Sequence, residues 1–200
     1  MIRIVKGEEP ADWKAFKKKN PRIVYRRLDS SETGREIRRN LRRHLLEEQY
    51  HVCCYCCKRI GLENSLNEHI RPEDFYPNET MDYTNIIVSC ADDNKTCGPK
   101  KDNDYDEQLF VSPLEEGCED HFSFAPDGDI IGETDRGKYT IELLGLDSYK
   151  LKRARAAVYQ VCQFYDDETM QWYSEVHEDA LEPFIDVIRY WRKIRLGESK

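Results

Sequence analysis

Apolar residues in this chain come in short runs whose spacing changes several times. Ile2 and Ile4 alternate with charged residues; Trp13 and Phe16 then fall three apart, the spacing of a short helix. Lys17-Lys18-Lys19-Asn20-Pro21 ends that helix, because proline restricts the residue before it. Ile37, Leu41 and Leu45 recur every four residues behind Thr33-Gly-Arg-Glu36, which reads as a capping box and predicts a helix to about Tyr50. Arg35, Arg38, Arg39, Arg42 and Arg43 fall largely on its other faces. The segment Ser65-Leu66-Asn67-Glu68-His69-Ile70 alternates and predicts a strand ending at His69. Arg71-Pro72 and Tyr76-Pro77-Asn78-Glu79 disfavour regular structure, and Tyr83 to Val88 returns. A short helix follows from Gly98.

Farther on, Phe122-Ser123-Phe124 and Ile130-Ile131 flank Pro126-Asp127-Gly128-Asp129 and predict a hairpin. Asp147 is placed to cap a helix carrying Leu151, Ala154, Val158 and Cys162. A last helix lines up Phe184, Ile185, Ile188 and Trp191, with Pro183 in its first turn. No repeat or low-complexity linker separates these elements, and 200 residues suit one domain.

Charged residues make up 35% of the chain and the mean hydropathy is -0.81, so much of it faces water. No apolar run is long enough for a membrane helix, and Met1 to Glu9 has no apolar leader, so the expected location is the cytoplasm, with no membrane partner. There thiols stay reduced, and clustered cysteines read as metal ligands. The net charge of -8 hides an asymmetry: residues 1–60 hold 16 Lys and Arg against 8 Asp and Glu, and the other 140 hold 15 against 31. A basic N-terminal part at +8 on an acidic remainder at -16 can draw a polyanion to one face; a merely solvated helix face is the plainer alternative.

Six of the eight cysteines lie between residues 53 and 97. Cys53 with Cys56, or equally Cys54 with Cys57, makes a C-x-x-C knuckle, and Cys90 and Cys97 form a wider second pair. The wide spacing is no obstacle, since doubling a loop costs only about 0.6 kcal/mol against roughly 10 to 16 kcal/mol of apparent zinc binding in small sites. Four thiolates leave no open position, so the zinc is structural. Between the pairs stand Glu68 and His69. Histidine suits proton abstraction, and the acid suits a hard cation such as Mg2+ or Mn2+, provided local distortion turns two strand neighbours toward one place. No H-x-E accompanies a P-C-x-x-C, which argues against a zinc deaminase, and no P-loop is present for nucleotide sensing.

Cys53-x-Tyr55-Cys56, Glu68-His69-x-x-Pro72, Asn85-Ile86, Ser89-Cys90 and Cys97-Gly98-x-x-Lys101 together resemble the zinc-stapled HNH endonuclease family. More narrowly the chain resembles the PtuB-type HNH subunits of Septu anti-phage systems and the HNH effectors of some retrons. The likeness extends through Leu45-x-x-Glu48-Gln49, Ser112-Pro113, Phe124 with Gly128-x-Ile130, Leu144-Gly145-Leu146-Asp147 and Leu151-x-x-Arg155, covering about residues 34–155. It implies an α+β fold: an HNH, or ββα-metal, core with a structural Zn2+, embedded in flanking helices and a small hairpin. The implied organisation is a basic segment over 1–33, the core with its leading helix over 34–110, and the hairpin and helices of 111–200 packed on it as one domain.

The resemblance also assigns roles. Cys53, Cys56, Cys90 and Cys97 match the zinc ligands, His69 the general base, Glu68 the neighbouring ligand of a catalytic Mg2+ or Mn2+, and Asn85 the residue that orients the loop. Where many relatives carry His or Asn after the last cysteine, this chain has Gly98; Lys101 is then assigned to phosphate, and Asp102, or Asn94, to the metal. The implied function is metal-dependent hydrolysis of phosphodiester bonds in DNA for antiviral defence, beside an ATPase subunit of the PtuA type. A non-catalytic zinc adaptor for nucleic acid or protein is the alternative.

Overall fold

The computed structural model describes residues 1–91 and 95–197; Asn94, one of the residues considered for the metal, lies outside them. A short helix, α1 (Ala11–Lys19), buries Trp13 completely, and its polar run ends it at Asn20. The long helix α2 (Glu32–Glu48) buries Ile37, Leu41, Leu45 and Leu46, the spacing read from the sequence. Its cap, however, is Ser31, whose side chain accepts from Gly34 N at 3.0 Å. Ser31 is extended and Thr33 is already helical, so the Thr33 box does not form.

β1 (Ser65–His69) pairs antiparallel with β2 (Ile86–Cys90), Ser65 opposite Cys90 and His69 opposite Ile86. The short helix α3 (Cys97–Lys101) follows and packs on β2, which completes a ββα unit. Both strands are largely buried, so β2 reads as a continuous apolar run instead of alternating. Gln49, 2% exposed, sits in the place of a third strand: its amide donates to Val88 O and Val52 O at 2.9 and 3.1 Å and accepts from Val88 N at 2.7 Å. The Glu48-Gln49 pair thus ties α2 to the unit, with Glu48 meeting Lys6 at 2.7 Å and Tyr83 Oη at 2.5 Å.

The second hairpin, β3 (Phe122–Phe124) with β4 (Ile130–Gly132), lies where the turn residues place it. Two helices escaped the apolar pattern. α4 (Asp135–Leu144) opens on Thr134, which accepts from Gly137 N at 3.0 Å, and α6 (Asp167–Tyr173) is short and polar, opening on Asp166. Between them α5 (Tyr149–Cys162) starts at Ser148, one residue after the expected Asp147, and α7 (Ile185–Arg195) starts beyond Pro183, with left-handed Phe184 as its cap. Arg155 of α5, 2% exposed, donates to Gly128 O at 2.7 Å and Leu146 O at 2.9 Å, clamping the hairpin turn to the α4–α5 turn. Gly128 has φ +87° and passes so close to α5 that a Cβ would lie 2.0 Å from Lys152 O. These contacts account for the flanking pattern around Gly128, Leu146 and Arg155. One cluster of buried side chains joins Met1, Trp13, α2, the knuckle, β2, β3 and α4 through Val187.

Candidate functional site

The residues after α2 fold as a tight knuckle. Val52 bridges Arg59, Cys53 N donates to Lys58 O at 2.9 Å and Cys57 N to Cys53 O at 3.0 Å. This turn sends Cys53 and Cys56 toward Cys90 at the end of β2 and Cys97 at the start of α3. Their four buried sulfurs lie within 4.8 Å of one another, an arrangement that can hold one metal ion, and among the described residues they form the one such group. Cys90 N also donates to Cys53 Sγ at 3.3 Å, a bond suited to a thiolate. Hydrogen bonds to Cys53 push the Cys56 and Cys97 thiols well above their ordinary range, while Cys53, despite burial, is held well below by hydrogen bonds from its neighbours. Four buried thiols this close together can give up their protons to a bound cation. Cys54 and Cys57 are equally buried but stand outside the group, which settles the two registers of the knuckle.

About 360 Å³ of open cleft lies beside this frame, lined by Arg26, Asn67, Glu68, His69, Glu73 and Asp102 among others. His69 closes β1. Its Nε2 stands 2.9 Å from Thr80 O, and since a carbonyl only accepts, Nε2 carries a proton, so in the neutral ring Nδ1 holds the lone pair. Tyr25 meets the ring edge-on at 4.6 Å between centroids. Burial pulls the imidazole below its ordinary range, against the bond to Thr80 and the charge of Glu68. Asn85 Oδ1 accepts from Arg71 N at 2.8 Å, and its Nδ2 donates to Arg71 O and Glu79 O at 3.1 and 3.3 Å. One amide therefore pins both ends of the loop that carries Thr80 toward His69.

Glu68 is 7% exposed, yet it also reaches the cleft. Its Oε1 accepts from Tyr55 Oη at 3.1 Å and pairs with Lys101 Nζ at 3.0 Å, while Oε2 lies over Gly98. Lys101 is 1% exposed, and its ammonium donates further to His69 O at 2.9 Å and Ile70 O at 3.3 Å. Its three donors are taken by Glu68 and two carbonyls, while the residue itself lines the cleft. Asp102 is exposed at the end of α3, with φ +43°, and lines the cleft without joining a group of three metal-binding side chains among the described residues. Glu73, which the pattern of the sequence did not single out, faces His69: its Oε1 lies 3.5 Å from Nδ1 and its Oε2 is buried without a hydrogen-bond partner. Burial raises its carboxyl. An acid four residues after His69 was the available signal.

A two-stranded unit with a short helix, a four-cysteine cluster at its base and a strand-end histidine beside an acid define an α+β protein with a ββα core. The comparisons make the kinship particular. Over 132 residues the chain is 32% identical to the retron Vc95 protein of Vibrio cholerae serotype O1 biovar El Tor, named as a candidate HNH endonuclease; the match takes in 60% of this chain and 63% of that one. Over 109 residues it is 29% identical to the Septu protein PtuB of Bacillus thuringiensis, taking in 52% of this chain and 39% of that one. The chain thus matches less than two thirds of the length of either curated relative. No family model matches it. It is related to the HNH proteins of retrons and Septu systems, as its motifs indicated.

Proposed function

We propose that this chain is a metal-dependent HNH endonuclease that hydrolyses phosphodiester bonds in DNA, as the nuclease subunit of a cytoplasmic anti-phage complex with an ATPase of the PtuA type. The observation that carries the reading is His69: its Nε2–H is fixed on Thr80 O, which leaves Nδ1 as a proton acceptor in a cleft beside Glu68. A water aligned on a phosphorus there gives its proton to Nδ1 as it attacks. Asn85 keeps Thr80 and the loop in register, so the lone pair stays aimed. Zn2+ at Cys53, Cys56, Cys90 and Cys97 holds the frame. Glu68 Oε2 and Asp102 would hold a catalytic Mg2+ or Mn2+, which neutralises phosphate charge when bound. Hard oxygen donors beside an open cleft fit such a cation. Among the described residues no helix is long and apolar enough to cross a membrane.

The test is nicking of supercoiled plasmid with Mg2+ or Mn2+, with the ATPase subunit present. Cleavage by the parent, and its loss in His69→Ala with zinc content and thermal midpoint retained, are the expected results. A complex that still cuts after His69→Ala would move the active site elsewhere. A parent complex that binds DNA without cutting would favour a zinc adaptor instead, the reading suggested by Gly98, which offers no side chain to a metal.

A further inference from the structure

Gly98 is the second residue of α3, directly after the last of the four cysteines, and Lys101, 1% exposed, closes the helix. Both touch the same carboxylate. Lys101 Nζ has three N–H donors and three acceptors, Glu68 Oε1, His69 O and Ile70 O, at 2.9 to 3.3 Å. Tyr55 Oη adds a second hold on Oε1. A buried carboxylate tied this way has little freedom to rotate, and its other oxygen has one direction left. That direction runs over Gly98, where a Cβ would lie 2.3 Å from Oε2, 2.8 Å from Cδ and 3.1 Å from Ser89 Oγ. The backbone at 98 is ordinary helix, with Gly98 N donating to Ser89 Oγ at 3.0 Å, so left-handed geometry does not explain the glycine. What explains it is room for Oε2.

We propose that Lys101 and Gly98 are the positioning residues of Glu68: Lys101 anchors the inner oxygen as a resident cation, and Gly98 uncovers the outer oxygen toward the cleft, where it serves as the ligand for a divalent cation. Position 98 is therefore not a lost ligand. It is the opening through which the chain's acidic ligand works, and water and substrate phosphate complete the coordination of the ion, as is usual for Mg2+. This inference rests on the cation-dependent reading above, but it is tested on metal binding, apart from DNA cleavage.

The experiment uses the full, zinc-loaded chain and titrates Mn2+ by electron paramagnetic resonance of the free ion, with zinc content and thermal midpoint as controls. Glu68→Gln, close in shape to the parent, weakens Mn2+ binding by about 10- to 100-fold, as losses around a metal commonly do. Gly98→Ala and Gly98→His weaken it similarly at unchanged zinc content, because either Cβ displaces Oε2. Lys101→Met leaves the carboxylate buried without its partner and lowers the thermal midpoint, and adding Glu68→Gln to it restores most of the loss. A Gly98→His chain that binds Mn2+ more tightly than the parent overturns the proposal, since histidine would then be a missing ligand restored. An unchanged midpoint and unchanged Mn2+ affinity in Lys101→Met overturn it from the other side, as does a parent that binds no Mn2+. Should the parent show all these shifts and never cut DNA with its partner present, the nuclease reading falls and this one stands.

Discussion

Cys53 and Cys54 are neighbours, both sealed from solvent, and only one belongs to the four-sulfur group. The difference is the direction of the sulfur: Cys53 accepts from Cys90 N, whereas burial leaves the Cys54 thiol firmly protonated. Cys90→Ser is therefore expected to lose the bound zinc and unfold the core, whereas Cys54→Ser keeps about one zinc per chain, both read by metal analysis and circular dichroism. A folded, zinc-free Cys90→Ser protein would refute the assignment. At His69 the sign of the pKa shift gives a second expectation. The base works in its neutral form, and burial lowers its affinity for a proton, so activity is held above the folded pKa and lost as pH falls through it. The acidic limb of cleavage by the reconstituted complex should thus lie below the ordinary histidine range near 6.5. A limb at or above that range would mean that His69 is not the titrating base.

Among the elements, α2 shows how a helix end can act as a strand. Gln49 answers the N–H of Val88 and the C=O of Val52, groups that an edge strand would otherwise leave buried and unpaired, and it joins Cys54 N as a second donor to Val88 O. Gln49→Ala removes three bonds at once. Each buried group left unsatisfied costs about 1 to 3 kcal/mol, so a drop of several kcal/mol in denaturant unfolding is expected. A loss under about 1 kcal/mol would show that water replaces the amide. The other faces of α2 are less free than their charge suggests. Arg42 donates to Asn67 Oδ1, Leu62 O and Ser65 O, binding the helix to β1, and Arg38 pairs with Asp29 and lies over the Tyr25 ring.

For the molecule as a whole, that division separates holding the fold from meeting a partner. Arg35, Arg39 and Arg43 are the exposed arginines of α2, bonded to Asp29 O, Glu63 and Asn40. An acidic remainder at -16 needs a cationic surface to hold a phosphate backbone, and this helix borders the cleft through Asn67. Replacing those three by Ala is expected to flatten the salt dependence of DNA binding by about one unit per lost contact, with the fold intact. Unchanged DNA binding with a broken complex would assign the face to a protein partner, and no change in either would leave it a solvated surface.

What the sequence determined by itself is local or compositional. Spacing of apolar residues placed α2 and β1, since periodicity reports which face of an element is buried without knowing by what, and a Gly-containing turn placed the Phe122–Gly132 hairpin. Thiol clustering pointed to a metal, because few other environments gather six cysteines into 45 residues. The tertiary structure decided everything that depends on a vector. It grouped Cys53 and Cys56, and not Cys54 and Cys57, with Cys90 and Cys97, paired Lys101 with Glu68, and brought Glu73 to His69. It also made Gly98 a matter of space for a carboxylate thirty residues earlier in the chain. α4 and α6 stayed hidden because Thr134 and Asp166 open helices whose apolar residues are too few to mark a period. Side-chain direction follows from packing across the fold, and a one-dimensional pattern carries distance along the chain but not direction in space.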